Sequence, residues 1–250
     1  MCGRYCITSA PEAIRALFRY REQPNFPARY NVAPTQPIPI VRMVEGAREF
    51  ALVRWGLIPA WVKDPKGFTL LINARGESVN DKPAFRNAMK RRRCLLPADG
   101  FYEWKPHGGA KRPYLARPVA GRPIAFAGLW ETWTGPNGEE METAAIVTTQ
   151  ANAEMAAVHH RAPVIVPPDQ FDFWLDCKNV DEKMAVELLA PAPGGLMEVY
   201  EISPAVNRVA NDAATLLEPY SADETEPPPD KPKAAPKKRQ PSDTGQGSLF

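Results

Sequence analysis

Cys2 is the residue whose position offers the most unusual chemistry. It directly follows Met1, and an initiator methionine is commonly removed when a small residue comes next. Removal would leave Cys2 with a free α-amine, whose reference pKa of about 7.7–8.0 keeps part of it neutral and nucleophilic near neutral pH. Such an amine forms an imine with an aldehyde, and the adjacent thiol can close the imine to a five-membered thiazolidine. Cys2 is therefore a candidate for aldehyde capture.

Two other interpretations of Cys2 stay open at this level. A terminal amine can act as general base for its own side chain in amide hydrolysis, so an N-terminal-cysteine amidohydrolase resembling the glutamine amidotransferases is the alternative enzyme. In the third interpretation Cys2 is inert, and the chain is a module that binds single-stranded DNA without a covalent bond.

Two further stretches offer acid–base groups. Glu103 lies between two aromatic residues in LPADGFYEW, and a carboxyl group in such surroundings has its pKa raised towards neutrality, which suits proton transfer. His159 and His160 precede Arg161 in VHHRAPVIV, and the whole chain has three histidines. Glu103 and one of this histidine pair are therefore candidate proton carriers.

The stretch INARGESV, residues 72–79, alternates polar and small or apolar side chains. On an extended segment Asn73, Arg75 and Glu77 would point to one face. That face is either part of a binding site or a solvated surface on which Arg75 pairs with Glu77.

Net charge does not decide whether the chain binds nucleic acid, because 31 Lys and Arg against 29 Asp and Glu leave a formal charge of +2. The local pattern is more informative, since arginines and tryptophans are interleaved in loops rich in glycine and proline, as in channels that track phosphates and stack bases. The predicted DNA contacts are Arg4, Arg54, Trp55, Arg75, Trp104 and Arg161, with the basic cluster KRRR at residues 90–93.

The cysteines are scattered at positions 2, 6, 94 and 177, which is typical of free thiols in a reducing compartment. Cys2 and Cys6 are spaced C-x₃-C, but no second Cys or His pair follows at a familiar zinc spacing. We therefore predict no metal and no cofactor. No apolar run approaches the roughly 20 residues of a membrane-spanning helix, so a cytoplasmic monomer without membrane contact is expected.

Short periodic segments are expected to position these groups. Helices of about three turns are predicted over residues 9–19, with Ser9 as the cap, over 82–93 and over 180–190. Between them lie the strand-like runs PIPIVRMV, EFALVRWG, CLLPADGFYEW, RPIAFAGLWET and METAAIVTT. Their connections are too short for repeated βαβ crossovers, so we predict one α+β domain over residues 1–220 with mainly antiparallel strands.

Residues 221–250 differ in composition from the rest of the chain. They are rich in Pro, Lys, Asp and Glu and contain almost no apolar side chain before the last two positions. Such a segment cannot bury enough surface to offset its chain entropy. We expect a disordered tail.

The order of these motifs resembles that of the SRAP family, the SOS response-associated peptidase-like proteins that shield abasic sites in single-stranded DNA by cross-linking to them. The resemblance covers residues 2 to about 210 and rests on CGRY, YNVAPTQ, RWGLIPAW, INARGESV, RCLLPADGFYEW, FAGLWE, TTQAN and HHRAPVIV. It implies strongly twisted strands in a barrel-like core flanked by short helices, with a basic groove across the active site.

The resemblance also implies a role for individual residues. Cys2 would capture the ring-opened aldehyde of the abasic deoxyribose, Asn73 would position the reacting terminus, and Arg75 would hold a phosphate beside the lesion. Glu103 would act as acid and base, and His159 would assist proton transfer and reversal of the cross-link.

Two aspects of the resemblance are specific to this chain. Ala162 stands where the family pattern H-x-R-M-P has methionine, which alters local packing and weakens the choice of His159 over His160. The family is named for a peptidase activity, which here would amount to removal of Met1, and an imine that fails to close would allow a weak strand-cleaving lyase reaction.

The last five residues, QGSLF, resemble the Q-x-x-L-F motif by which bacterial replication and repair proteins bind the sliding clamp. Leu249 and Phe250 would enter an apolar pocket, and Gln246 would form a hydrogen bond at its rim. A short anchor on a disordered tether raises the local concentration of the domain it carries. The alternative is an inert tail with a nonspecific attraction to DNA.

Overall fold

The computed structural model describes residues 2–220. Met1 and residues 221–250 lie outside the described residues. The expected removal of Met1, the expected tail and its motif at Gln246, Leu249 and Phe250 therefore stay predictions from the sequence.

Thirteen strands form two sheets within residues 2–220. They are β1 (Tyr5–Ile7), β2 (Arg29–Val32), β3 (Pro37–Val44), β4 (Ala47–Trp55), β5 (Asn73–Arg75), β6 (Arg93–Ala98), β7 (Gly100–His107), β8 (Ala110–Pro118), β9 (Ile124–Thr134), β10 (Glu140–Gln150), β11 (Arg161–Pro163), β12 (Ile165–Val166) and β13 (Met197–Glu201).

The helices in the same part of the chain are short. They are α1 (Pro11–Phe18), α2 (Arg86–Arg91), α3 (Ala153–Ala156), α4 (Phe171–Leu175) and α5 (Glu182–Ala185), with 3₁₀ turns at Pro65–Gly67, Gly76–Ser78, Pro168–Gln170, Val186–Leu188, Pro204–Asn207 and Ala214–Leu217. Between residues 2 and 220 no helix has the length and apolar character needed to cross a membrane.

Five strands close into a barrel. β4 pairs with β3, β3 with β6, β6 with β9 and β9 with β10, all antiparallel, and β10 closes the ring by lying parallel to β4. β10 also carries β5 in parallel and β11 antiparallel. The predicted α+β class with a barrel-like core and mainly antiparallel strands is confirmed.

The second sheet has the order β13-β8-β7-β1-β2, and all its neighbours are antiparallel. β1 lies between β7 and β2, so the first residues of the chain enter the interior of a sheet. This arrangement brings the segment that begins at Cys2 beside β7, the strand that carries Glu103.

The predicted strand CLLPADGFYEW is two strands, β6 and β7, because Asp99 breaks it. The Asp99 carboxylate accepts hydrogen bonds from the backbone N–H groups of Thr8, at 2.5 Å, and Ser9, at 2.8 Å, and from the Ser9 hydroxyl at 2.5 Å. The prediction that Ser9 caps α1 is therefore wrong: Ala10 occupies the cap position and Pro11 begins the helix.

The core fills the barrel and the space between it and the helices. Ile38, Ile40 and Phe126 are completely buried in this core. Phe18 of α1 stacks on Phe171 of α4 with ring centroids 5.1 Å apart, which fixes two helices to each other across the outside of the barrel.

The basic cluster KRRR does not form one surface. Lys90 and Arg91 are exposed, whereas Arg93 is 1% exposed. Its guanidinium donates four hydrogen bonds of 2.6–2.9 Å to the backbone carbonyls of Met89, Trp174, Asp176 and Val180. Arg93 therefore joins β6 to α2, α4 and the following loop, and it is a structural residue.

We expect Arg93→Leu to lower the free energy of unfolding by about 3–5 kcal/mol, because several buried carbonyl groups lose their donor at once. Arg91→Leu removes a neighbouring exposed arginine and should change stability by no more than about 0.5 kcal/mol. Urea unfolding of both variants measures the difference. Equal stabilities would contradict the assignment of Arg93 as a structural residue.

Candidate active site

Cys2 lies three residues before the start of β1 and is completely buried. Its thiol contacts the carbonyl oxygen of Arg4, with Sγ 3.9 Å from that oxygen. Burial raises the pKa of the Cys2 thiol strongly, and the negative charge of Glu103 raises it further. The thiol therefore stays protonated near neutral pH and needs a proton acceptor before it can react as a thiolate.

Asn73 holds the backbone of Cys2. It begins β5, a strand positioned by parallel pairing in which Asn73 lies opposite Ile146 of β10. Its Nδ2 donates a hydrogen bond of 2.9 Å to the Cys2 carbonyl. Within residues 2–220 its buried Oδ1 has no hydrogen-bond partner, so this oxygen can accept from an amine or hydroxyl group beside Cys2.

Glu103 lies on β7 and is 4% exposed. Burial raises the pKa of its carboxyl group above the ordinary range. Its Oε1 is 4.0 Å from Nδ1 of His159. The structure thus brings Cys2, Asn73, Glu103 and His159 into one site, with a carboxyl group that retains its proton to higher pH than an exposed glutamate does.

His159 lies between α3 and β11. Its Nδ1 lies 3.0 Å from the backbone nitrogen of Arg161 and 3.2 Å from the Arg161 carbonyl oxygen, so in the neutral ring Nδ1 accepts from the N–H in one tautomer and donates to the carbonyl in the other. Burial lowers the pKa of His159 and favours this neutral form. The His160 ring stacks on it with centroids 4.4 Å apart. The contact with Glu103 distinguishes His159 from His160 as the residue nearer to the acid–base group.

Arg161 points into the protein rather than outward. It is 8% exposed and forms a two-bond ion pair with Glu77, at 2.6 and 2.9 Å. It also donates to the carbonyl and hydroxyl oxygens of Thr148, at 2.7 and 3.2 Å. Sequence reasoning placed Arg161 among the DNA contacts and weighed Arg75 as the partner of Glu77. The pairing of Glu77 with Arg161 has no local sequence signal, because 84 residues separate the two.

Arg4 is held beside Cys2 by a polar network. Its Nη1 donates to Oδ1 of Asn31 at 2.7 Å and to the Val206 carbonyl at 2.9 Å. The guanidinium lies 5.9 Å from the ring centroid of Trp104, whose Nε1 donates to Oδ1 of Asn207 at 2.8 Å. Asn31 is completely enclosed and was missed by sequence reasoning, although it lies in the motif YNVAPTQ.

The remaining predicted DNA contacts differ in how far their side chains are exposed to solvent. Arg75 is exposed at the end of β5, two residues after Asn73, which binds the Cys2 carbonyl. Arg54 is partly buried and borders a cavity of about 310 Å³. Trp55 is 0% exposed, packs against Tyr5 with centroids 5.3 Å apart and donates to the Ile72 carbonyl. Trp55 is a core residue and cannot stack on a base in this conformation, which corrects that prediction.

Comparisons with known proteins agree with this architecture. The sequence profile described as SOS response associated peptidase (SRAP) matches residues 1–209. The abasic site processing protein YoqW of Bacillus subtilis is 37% identical over 224 residues, which cover 88% of this chain and all of YoqW. The abasic site processing protein YedK of Escherichia coli is 30% identical, with coverage of 88% and 100%.

A more distant relative and a solved structure extend the comparison. The abasic site processing protein HMCES of Gallus gallus is 29% identical over 88% of this chain and 78% of its own length. A protein of Bacteroides thetaiotaomicron with a known crystal structure aligns with a TM-score of 0.80 and 25% identity, covering 88% of this chain and all of that one. The extent of these matches, together with the shared barrel, shows that the chain belongs to the SRAP family.

Proposed function

We propose that this protein binds abasic sites in single-stranded DNA and becomes covalently attached to them through Cys2, once Met1 has been removed. The observation that carries the proposal is the convergence of Cys2, Asn73 and Glu103 in one buried site. The names of the relatives, abasic site processing proteins, support the choice of substrate.

The covalent reaction balances without a cofactor. The neutral α-amine of Cys2 adds to the aldehyde carbon of the ring-opened sugar, and loss of one water molecule forms the imine. The Cys2 thiol then adds across the C=N bond, so that a C–S bond forms and the thiol proton moves to nitrogen. The product is a thiazolidine that joins the protein to the strand.

Glu103 supplies the proton transfers that these steps need. In its protonated form, which burial favours, it acts as the acid for ring opening of the sugar and for loss of water. As a carboxylate it accepts the proton of the Cys2 thiol, whose own pKa is too high for spontaneous ionisation. His159, with Nδ1 4.0 Å from the carboxylate, relays protons during closure and reversal.

Asn73 and Arg75 orient the two reactants. Asn73 anchors the Cys2 carbonyl and presents its Oδ1 towards the reacting terminus. Arg75, exposed two residues further along β5, binds a phosphate next to the lesion. We include Arg4, Arg54 and Trp104 in the proposed DNA surface and omit Trp55, because its side chain lies in the core.

The other predicted activities and partners are secondary parts of the proposal. Peptidase action is confined to removal of Met1, and weak lyase activity follows when the imine does not close. Gln246, Leu249 and Phe250 bind a bacterial sliding clamp and bring a monomeric protein to sites of DNA synthesis.

Wild-type protein mixed with single-stranded DNA that carries one abasic site should give a heat-resistant, slower band on a denaturing gel. Cys2→Ala should give none, because its α-amine forms only a reversible imine and no thiol is left to close the ring, and neither should a strand without the lesion. Cys177→Ala is the matched control, since it removes another free thiol, and it should cross-link as the wild type does.

The same experiment decides between the proposal and its alternative. Intact mass must first establish that Met1 is absent from the wild-type sample. If no cross-link then forms, covalent capture is excluded and hydrolysis of an amide such as glutamine becomes the activity to assay.

Glu103→Gln should lower the single-turnover rate of cross-linking by on the order of 10²–10⁴-fold, because it removes the acid–base group. The pKa of Glu103 is raised by burial, so its protonated form is lost as pH rises through that raised value. The wild-type rate should therefore show a decline with rising pH that the Gln variant lacks. Rates measured across pH with saturating abasic DNA test both effects.

Glu131→Gln is the matched control for this change. Glu131 is also buried with a raised pKa, but it contacts Arg92 at 2.9 Å and the Thr132 N–H at 3.0 Å. The cross-linking rate and pH profile of Glu131→Gln should equal those of the wild type.

Because stability from a raised-pKa acid is lost as pH rises through that pKa, Glu103→Gln should also raise Tm at about pH 8. A wild-type rate profile in Glu103→Gln would contradict the assigned role.

A further inference from the structure

The tip of the β7–β8 hairpin carries cations with no acidic residue in the same segment. Residues 105–112, which we call the hairpin arm, read KPHGGAKR and include Lys105, Lys111 and Arg112. Lys105 and Lys111 are exposed, and Arg112 is partly buried. The arm is therefore a compact positive surface in a chain whose total charge is nearly balanced.

The arm is a tight hairpin that projects from the sheet. His107 lies opposite Ala110, so the turn consists of Gly108 and Gly109 alone, with φ of 54° and 82°. Positive φ at both central residues is typical of the two-residue hairpin turn whose twist matches that of the two strands it joins. A Cβ atom at either glycine would meet nothing within 4 Å, which shows that the tip projects into open space.

Two positive charges of the arm face each other across the hairpin. Lys105 lies directly opposite Arg112, and like charges in that position destabilise a strand pair. Arg112 Nη1 is 3.5 Å from Glu201 of β13, and Lys105 Nζ lies 6.0 Å from the ring centroid of Tyr114. Arg112 is thus paired with a carboxylate, whereas Lys105 and Lys111 are exposed cations on the same short segment. A bound polyanion would relieve the remaining repulsion.

The hairpin arm follows the candidate active site along β7. Side chains two residues apart on a strand share a face, so Lys105 and His107 continue the face of β7 that carries Glu103. Lys105 is about 7 Å along the strand from Glu103. On the opposite strand, Lys111 pairs with Pro106 and so lies on the other face of the hairpin from Lys105. Its positive charge makes one of the smaller contributions, well after burial, to the lowered pKa of His159.

We propose that the hairpin arm is a second DNA-binding surface, which holds backbone phosphates of the strand whose lesion lies at Cys2. The inference rests on the proposed function for the position of the lesion. Lysine contacts of this kind carry no sequence preference; they add affinity and fix the direction in which the strand leaves the site. The single observation behind it is the cation pair Lys105 and Arg112 at the base of a tight projecting hairpin, two residues from Glu103 along β7.

The test is the salt dependence of reversible binding by Lys105→Gln/Lys111→Gln. The probe is a single strand with a tetrahydrofuran residue in place of the abasic sugar, which has no aldehyde and cannot cross-link. Each lost phosphate contact should reduce the slope of log Kd against log salt by about 0.7, so two should reduce it by about 1.4, with affinity on the order of tenfold weaker at about 50 mM salt.

Arg19→Gln/Arg21→Gln is the control with the same loss of charge. Both arginines are exposed just after α1, and α1 follows β1 near the start of β7, since Cys6 lies opposite Gly100. They are therefore near the opposite end of β7 from the arm. The control should keep the wild-type slope. Equal slopes for the two double variants, or a wild-type slope in the arm variant, would overturn the proposal.

A separate measurement distinguishes failure of the arm from failure of the covalent mechanism. Free 2-deoxyribose offers the same ring-opened aldehyde but carries no phosphate, so the wild type and the arm variant should form the thiazolidine with it at equal rates, as measured by intact mass. A slower rate in the arm variant would overturn the proposal by placing Lys105 or Lys111 in the reaction itself. Failure of both proteins to form the thiazolidine, with the salt effect intact, would refute the covalent mechanism alone.

Discussion

The hydrogen bond from Asn73 to the Cys2 carbonyl is the contact on which the candidate active site depends. The first residues of a domain are usually poorly ordered unless they are tied down, because ordering each one costs conformational entropy. Here pairing of β1 with both β7 and β2 anchors the segment after Cys2, and Asn73 anchors Cys2 itself. The side chain of Cys2 is thereby held in a fixed position although it lies near the start of the chain.

Burial then determines the protonation of the site. Removal from water raises the pKa values of the Cys2 thiol and the Glu103 carboxyl group and lowers that of His159, so all three favour their neutral forms. A cluster without fixed charge costs less to bury than an ion pair. It is also suited to chemistry in which protons move at each step, because the protonated acid and its nucleophile coexist.

The arginines near the site divide into two groups with different tasks. Arg4, Arg93 and Arg161 direct their guanidinium groups to carbonyl, amide or carboxylate oxygens of the protein, and they connect segments far apart in sequence. Arg75 and the hairpin arm are directed to solvent. Arg93 and Arg161 therefore stabilise the fold, Arg4 both joins distant segments and borders Cys2, and Arg75 and the lysines of the hairpin arm stay accessible from solvent.

The sequence by itself predicted Cys2 as the candidate reactive residue, the raised pKa of Glu103 and the bounds of strands such as Pro37–Val44, because these follow from residue type and local pattern. It did not determine that Trp55 is a core residue or that Arg161 binds Glu77. Burial and partners depend on which strands become neighbours, and β10 contacts β4 and β5 across long separations in sequence. Such pairings are chosen by the packing of the whole barrel, so only the tertiary structure decided which arginines and tryptophans remain available to DNA.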